Sequence, residues 1–506
     1  MQRTADESNR RSFGKALAAT ALSSSRVLGA SDRIRVGIIG CGGMGRGLWT
    51  SFLAQPDVAP VAVCDVFAPH RERAVQMAAG KQKVDSYTDF RPMLDRKDLD
   101  AVIVATPDHW RALLTITACR AGKDVYVEKP LSHTIHEGRI MFDTARKHQR
   151  VVQVGAQQRS GEHYAAAVKL IQDGALGAVH KISGNWTRNM MPGFLPRELK
   201  SGLTKELDWD LWLGPAPLVP FDPMRFSYNW RWFWDYSGGQ MTNWGAHSLD
   251  IIRWALAAAA PEAVTAFGGR YELKDGGQTP DVQEALFRFP GCLVSWTGRE
   301  INGVEAIRPA PPVRTQPPRP LIEFHGTKGN MVLTREGFDV SPEVWTGDGQ
   351  DGKTAAMRPL RANGSSARQS ENHVRNFLDC VKSRKRPNAD VEEGYRTNRD
   401  VPSRQHCHPS GARVAMGSGE GRDHRGPGSE SVLVQGVPQA VDTCMNTACA
   451  AAGSTPPADY ARLFCRGESL AGLDKALQLG GNGLMFHCGI QPQDVGHHRD
   501  QIHLRP

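Results

Sequence analysis

Two patterns of apolar and polar positions succeed one another along the chain. From Arg33, short runs that are apolar on both faces alternate with stretches of helical period. The runs are "RIRVGIIG", "VAPVAVCD", "LDAVIVATP", "DVYVEKP" and "RVVQVGAQ", and "GMGRGLWTSFLAQ" is the first helical stretch. Strands of this kind, separated by helices of ten or more residues, predict a parallel sheet with right-handed crossovers, ending near Ala156. Beyond it the period falls to two, in "HKISGNWT", "AVTAFGGRYEL", "EALFRFPGCLVSWTG" and "LIEFHGTKGNMVL". This predicts a largely antiparallel sheet with a few helices, one from Tyr164 to Gln172. The last helix of this region has Val374, Phe377, Leu378 and Val381 on one face. It ends in Lys382, Arg384, Lys385 and Arg386, where cations suit the helix dipole. The expected class is α/β: a parallel-sheet domain over 31–156, then an α+β domain with a large, mostly antiparallel sheet over 157–398.

Both ends differ from this body. Residues 1–30 carry Arg10 and Arg11, then Phe13, Lys15, a weakly apolar stretch and small residues, which resembles a twin-arginine export signal; the alternative is a basic tail. From 399 to 506 periodicity fades, and the segment holds nine arginines but one lysine. A disordered tail is one account. Alternatively, plausible codons for this stretch, read one nucleotide later, give a string with helix and turn grammar. In it the ATG of Met416 followed by glycine forces a tryptophan. The favoured expectation is a frameshifted tail, so "QHCH" and "GHHRD" are not read as metal sites.

Composition narrows the function. The net charge of +9 over 506 residues is spread out, with no basic run interleaved with aromatics, which argues against nucleic acid. No apolar run approaches the roughly 20 residues of a membrane span. The ten cysteines form no CxxC pair, so neither a disulfide framework nor a zinc site is expected.

"GIIGCGGMGRG" places Gly40, Gly42 and Gly45 in a GxGxxG pattern between a strand and a helix. Gly40 permits the tight turn, Gly42 the approach of a pyrophosphate, and Gly45 the packing of helix on strand, as in a Rossmann domain. Asp65 ends the next strand, where a carboxylate accepts from the adenosine ribose and repels a 2′-phosphate. That favours NAD, while His70 and Arg71 nearby keep NADP open.

With "ATPDHW" (105–110), "AGKDVYVEKP" (121–130), "DWDLWLGPAP" (208–217) and "GGQMTNWGAHSLDI" (238–251), the chain resembles the Gfo/Idh/MocA oxidoreductases over roughly residues 33–398. The resemblance implies cofactor contacts at Gly43, Met44, Thr106, Pro107, Glu128 and Lys129. It also implies that Lys129 meets the substrate hydroxyl, that its bond to Pro130 is often cis, and that His247 accepts the proton. Many relatives have an aspartate where this chain has Asn243, which on a helix shares a face with His247. Arg111 stands where many have a histidine. Gln157 and Arg159 lie between the domains and are candidates to reach substrate. In "YNWRWFWDY", Trp230 is either core or a sugar platform, with Arg231 and Asp235 as partners for hydroxyls.

The expected activity is hydride transfer between NAD(P) and a hydroxyl of a sugar, sugar acid or cyclitol. An exported enzyme would hold its dinucleotide tightly. Two other readings stay open: an NAD-assisted glycoside hydrolase and a non-catalytic dinucleotide sensor. The resemblance further implies a homo-oligomer formed through the open face of the second sheet.

Overall fold

The computed structural model describes residues 33–193, 203–302, 321–346, 353–400 and the strand Val414–Ala415. The export-type signal of residues 1–30 lies outside the described residues, as does the 399–506 tail apart from Arg399, Asp400 and that strand.

The first sheet has six parallel strands: β1 (Ile34–Ile39), β2 (Val58–Cys64), β3 (Asp85–Tyr87), β4 (Ala101–Val104), β5 (Asp124–Val127) and β6 (Val152–Val154). Their order is β3-β2-β1-β4-β5-β6, so the chain reverses direction across the sheet between β1 and β4. Ligands bind at such a switch point, outside the carboxyl ends of the strands. Five of these strands were legible as apolar runs. The sixth, β3, is three residues of Asp, Ser and Tyr at the sheet edge, with no such run to mark it. Helices α1 (Gly43–Leu53), α2 (Ala68–Met77), α3 (Phe90–Leu94), α4 (Asp108–Arg120) and α5 (Ile135–Lys147) connect them. The capping box at the start of α5, with Thr134 accepting from the Glu137 N–H and Glu137 reaching back, fixes where the chain turns after the EKP segment.

The second domain begins with α6 (Glu162–Gln172), two residues earlier than its pattern predicted, followed by β7 (Val179–Thr187). A short helix α7 (Trp209–Leu213) and an aromatic segment lead to α8 (Ala246–Leu256). The remaining strands are β8 (Ala263–Gly269), β9 (Val282–Phe289), β10 (Cys292–Arg299), β11 (Leu321–Gly326), β12 (Gly329–Thr334), β13 (Gly337–Pro342), β14 (Val344–Thr346), β15 (Lys353–Ala355), β16 (Leu360–Asn363) and β17 (Val414–Ala415). Nine of the strands form one sheet in the order β16-β13-β12-β11-β7-β10-β9-β8-β17. All its neighbours are antiparallel except β7 and β10, so the sheet is mixed but mostly antiparallel. One face packs on α6 and α8 through Tyr164, Leu249, Ile252, Phe287, Trp296 and Phe324.

One assignment is corrected. The helix expected to close the second domain, α9 (Ser366–Ser383), buries its apolar face in the first. Val374, Phe377, Leu378 and Val381 share a core with Ile38, Trp49, Phe52 and Tyr126. Phe377 stands edge-on to Phe52 at 6.0 Å and to Tyr126 at 5.9 Å. Its basic end is anchored there too, Arg384 donating to Asp124 at 2.6 and 3.0 Å and Lys382 pairing with Asp57. The following helix, α10 (Val391–Asp400), continues this return, with Val391 in the core beside β6. An amphipathic period tells that a face is buried, not against what, and sequence order made the nearer sheet the wrong choice.

Candidate active site

The dinucleotide cleft is built by three glycines with different tasks. Gly40 has φ of +90°, and a Cβ there would lie 2.8 Å from the Ala105 carbonyl carbon. A Cβ on Gly45 would meet the Gly40 carbonyl oxygen at 2.0 Å, so α1 seats on β1 only without one. Gly42 and Gly43 instead face open space, with nothing closer than 3.8 Å to either added Cβ. That leaves a cradle of backbone at a helix N-terminus, which suits a pyrophosphate. Asp65 braces it: its carboxylate accepts from the Cys41 N–H at 2.6 Å and the Phe67 N–H at 2.9 Å.

A cleft of about 470 Å³ opens over this loop, and Gly40, Gly42, Gly43, Met44, Asp65, Thr106 and Pro107 all line it. Gly45 lies behind the cleft, and Glu128 and Lys129 are not among its lining residues. The opposite wall comes from the second domain: Trp212 on α7, then Tyr228, Trp230 and Arg231. The residues present thus fit a dinucleotide, with the acidic Asp65 at the end of β2 where the ribose would lie.

The chemistry-bearing residues gather at the end of β5. Glu128 is 2% exposed and accepts from Gln157 Nε2 at 2.9 Å and from the Lys129 N–H at 3.2 Å. Burial raises its pKa, against the pull of Lys129 and Arg111. The Lys129–Pro130 peptide is cis. Lys129 Nζ donates at 2.7 Å both to the Asn243 carbonyl oxygen and to its Oδ1. Burial pulls the Lys129 pKa down to about 7; Glu128 opposes this, and Arg231 and Arg111 reinforce it. This amine therefore gives up its proton more readily than a solvated lysine does.

Asn243 is itself oriented. Its Nδ2 donates to Gln240 Oε1 at 3.1 Å, and Gln240 donates to Glu300 at 2.7 Å. The expected pairing of Asn243 with His247 on one helical face does not describe this arrangement. Residues Met241–Gly245 form a π-helical turn before α8, and Asn243 bonds Lys129 instead. His247 lies in the first turn of α8, 5% exposed, 5.5 Å from the Trp244 ring. Burial, Lys129 and Arg335, in that order, hold its pKa well below the ordinary value, so the ring is neutral.

The remaining candidates separate. Gln157 holds Glu128. Arg159 is held by a buried pairing with Asp250 at 2.8 Å and with Glu393 at 3.1 Å, and it lines a small pocket together with Lys129 and His247. Asp235 pairs with Arg225 at 2.9 Å and does not line the cleft. Trp230 is both core, packed with Trp232 and Phe233, and cleft wall. Arg231 lies against the Trp230 and Tyr228 rings at 4.2 and 4.5 Å and donates to the Tyr228 carbonyl at 3.2 Å.

Sequence reasoning missed the work of Arg111. Paired with Asp108 at 2.8 Å, it donates to the carbonyls of Pro130 at 2.9 Å and Thr106 at 3.2 Å. It thereby ties the EKP turn to the loop after β4. Its signals were its place one turn into α4 and its standing where many relatives have a histidine.

Three family models match the chain. The oxidoreductase family's NAD-binding Rossmann fold covers residues 34–156, its C-terminal alpha/beta domain 161–266, and a GFO/IDH/MocA C-terminal domain 218–332. Levoglucosan dehydrogenase of Pseudarthrobacter phenanthrenivorans is 26% identical over 342 residues, 63% of this chain and 78% of that protein. Inositol 2-dehydrogenase of Klebsiella pneumoniae is 32% identical over 193 residues, 36% of this chain and 54% of that protein. A glycosyl hydrolase family 109 protein of Saccharopolyspora erythraea is 35% identical over 156 residues, 30% of this chain and only 34% of that protein. The fold is shared with levoglucosan dehydrogenase in complex with NADH and levoglucosan, at a TM-score of 0.56 and 19% identity. That match covers 76% of this chain and 99% of the other. With an NAD-binding Rossmann domain and the family's characteristic second domain in succession, this chain belongs to the Gfo/Idh/MocA oxidoreductases.

Proposed function

We propose that the protein is an NAD-dependent dehydrogenase acting on a CH–OH group of a sugar, sugar acid or cyclitol. The observation that carries this reading is Lys129: a half-buried residue whose amine is held at 2.7 Å by both oxygens of Asn243, in a pocket it shares with His247, with its pKa lowered to about 7. Asp65 favours NAD over a 2′-phosphorylated cofactor, because a carboxylate at the ribose repels the phosphate. Bound NAD supplies the hydride acceptor, so oxidation of the carbinol requires only that its hydroxyl proton be taken.

The neutral form of Lys129 takes that proton. The resulting ammonium then stands beside the new carbonyl oxygen and, in the reverse direction, returns the proton to the alkoxide. Asn243 aims the amine through fixed acceptors without adding the negative charge that would keep it permanently protonated. His247, neutral and beside Lys129, serves as a hydrogen-bonding partner for the substrate hydroxyl. Its depressed pKa makes it a weaker base than expected from its position, and Lys129 carries the larger share of the proton work. Arg111 fixes the turn from which Lys129 projects.

The levoglucosan and inositol dehydrogenases among the relatives support a polyhydroxylated substrate. The outward face of the second sheet supports assembly with further copies, and Arg10 and Arg11 support export with the cofactor already in place. The test is to titrate NAD into the purified protein and follow NADH formation across a panel of sugars, sugar acids and cyclitols. NAD binding without reduction by any of them would overturn the reading.

A further inference from the structure

The second domain brings one more cation to this site. Arg335 occupies the turn between β12 and β13, and its guanidinium lies 4.8 Å over the Trp244 ring, which is 5.5 Å from the His247 ring. Trp244 is fixed in turn by stacking on Trp186 at 4.0 Å. Four buried arginines answer to carboxylates, Arg111 to Asp108, Arg159 to Asp250, Arg188 to Glu300 and Arg253 to Asp400, whereas Arg231 rests on aromatic rings and a backbone carbonyl. Arg335 is different. Its Nε is buried without a hydrogen-bond partner, and among the described residues its guanidinium meets a ring rather than a carboxylate.

The turn that carries it is clamped from three directions. Thr334 O accepts from His163 Nε2 at 3.1 Å, Arg335 O from Gln369 Nε2 at 3.0 Å, and Glu336 O from the Gly364 N–H at 2.7 Å. A long side chain on a fixed turn has less freedom to lose when it binds. A half-buried guanidinium whose Nε is shut off from solvent without an acceptor is costly unless a ligand supplies one. Through Trp244, Arg335 stands on the His247 side of the site, and its charge also bears on His247 and Glu128. Arg231, by contrast, lines the dinucleotide cleft.

We propose that the substrate is a sugar acid whose carboxylate pairs with Arg335 while its reacting hydroxyl meets Lys129, with Trp244 supplying an apolar face to the sugar ring. This rests on the oxidoreductase reading and narrows it. A guanidinium matches a carboxylate with two parallel N–H···O bonds, a geometry a neutral hydroxyl cannot return.

The experiment is calorimetry on the full-length protein saturated with NADH, titrated with glucuronate, galacturonate and gluconate against glucose and galactose. The expected result is binding of at least one acid about tenfold or more tighter than its neutral counterpart. Arg335→Met should abolish that preference and leave hexose binding unchanged, and Arg335→Lys should restore part of it. Equal binding of acid and hexose by the native protein overturns the proposal. So does an Arg335→Met protein that keeps the preference, or one that weakens both ligands alike while its NADH uptake and melting temperature match the native protein. Failure of NADH to bind would instead bring down the oxidoreductase reading, and this assignment with it.

Discussion

At the scale of single residues, function depends on how one amine is kept from being an ordinary lysine. Burial lowers the Lys129 pKa to about 7 although Glu128 opposes it, which makes the neutral, proton-accepting amine easier to reach than in a solvated lysine. Oxidation needs the neutral amine and reduction the ammonium. The rate of sugar oxidation, as kcat/KM, should therefore rise with pH through about 7 and level off, while the reverse reaction falls over the same range. Lys129→Met should abolish turnover in both directions and leave NAD affinity within about twofold by calorimetry, since Lys129 does not line the cleft; loss of NAD binding would make the residue structural. Asn243→Asp tests the acceptor pair. A carboxylate at that distance stabilises the ammonium and moves such a pKa up on the order of 1–3 units. The alkaline displacement of the oxidation profile should be of that size, and an unmoved profile would remove Lys129 from the proton path. Folding stability follows the same sign. Between about 7 and about 10 the unfolded lysine binds more protons than the folded one, so this residue's share of stability grows with pH across that window.

At the scale of elements, α9 is the piece that joins what the sequence order separates. Its apolar face closes the core of the first domain, so its loss should be felt by the dinucleotide site although it touches no ligand. Phe377→Ala removes a ring that meets both Phe52 and Tyr126 and should cost about 3–5 kcal/mol, read by denaturant unfolding. The unfolding transition it lowers should be the one that added NAD raises; a drop confined to an NAD-insensitive transition would return the helix to the second domain. The parallel strands and the glycine turn were legible because continuous apolar runs and GxGxxG are local signals. The seat of α9 was not, because nothing within an amphipathic helix names the sheet it meets. The ion pair of Arg159 was hidden for a related reason: its carboxylate, Asp250, arrives from 91 residues away. Arg335 carried no signal as a turn residue between two strands, and only folding brings it over Trp244.

At the scale of the whole molecule, the second sheet presents an unbalanced pair of faces. Along β9 every second residue from Gln283 to Phe289 is buried, and the alternation promised polar residues on the other face. Three outward positions break that promise: Phe267, Leu286 and Leu293 are 57%, 43% and 46% exposed. Strand register brings them onto neighbouring strands, with Leu293 opposite Arg288, Leu286 opposite Ser295 and Phe267 opposite Glu284. The apolar side chains are thus interleaved with charges and hydroxyls. Such a mixed face suits contact between folded copies that each keep their own core, and a twofold arrangement would let the same stripe serve on both sides. Light scattering should find dimers or larger closed assemblies. Leu286→Glu combined with Leu293→Glu should yield monomers that still bind NAD, because the buried face of the sheet, and with it α8 and His247, is untouched. An assembly unchanged by the double substitution would place the contact elsewhere on the surface. Monomers that lose NAD would mean that the sheet's outer face also holds the active site in shape.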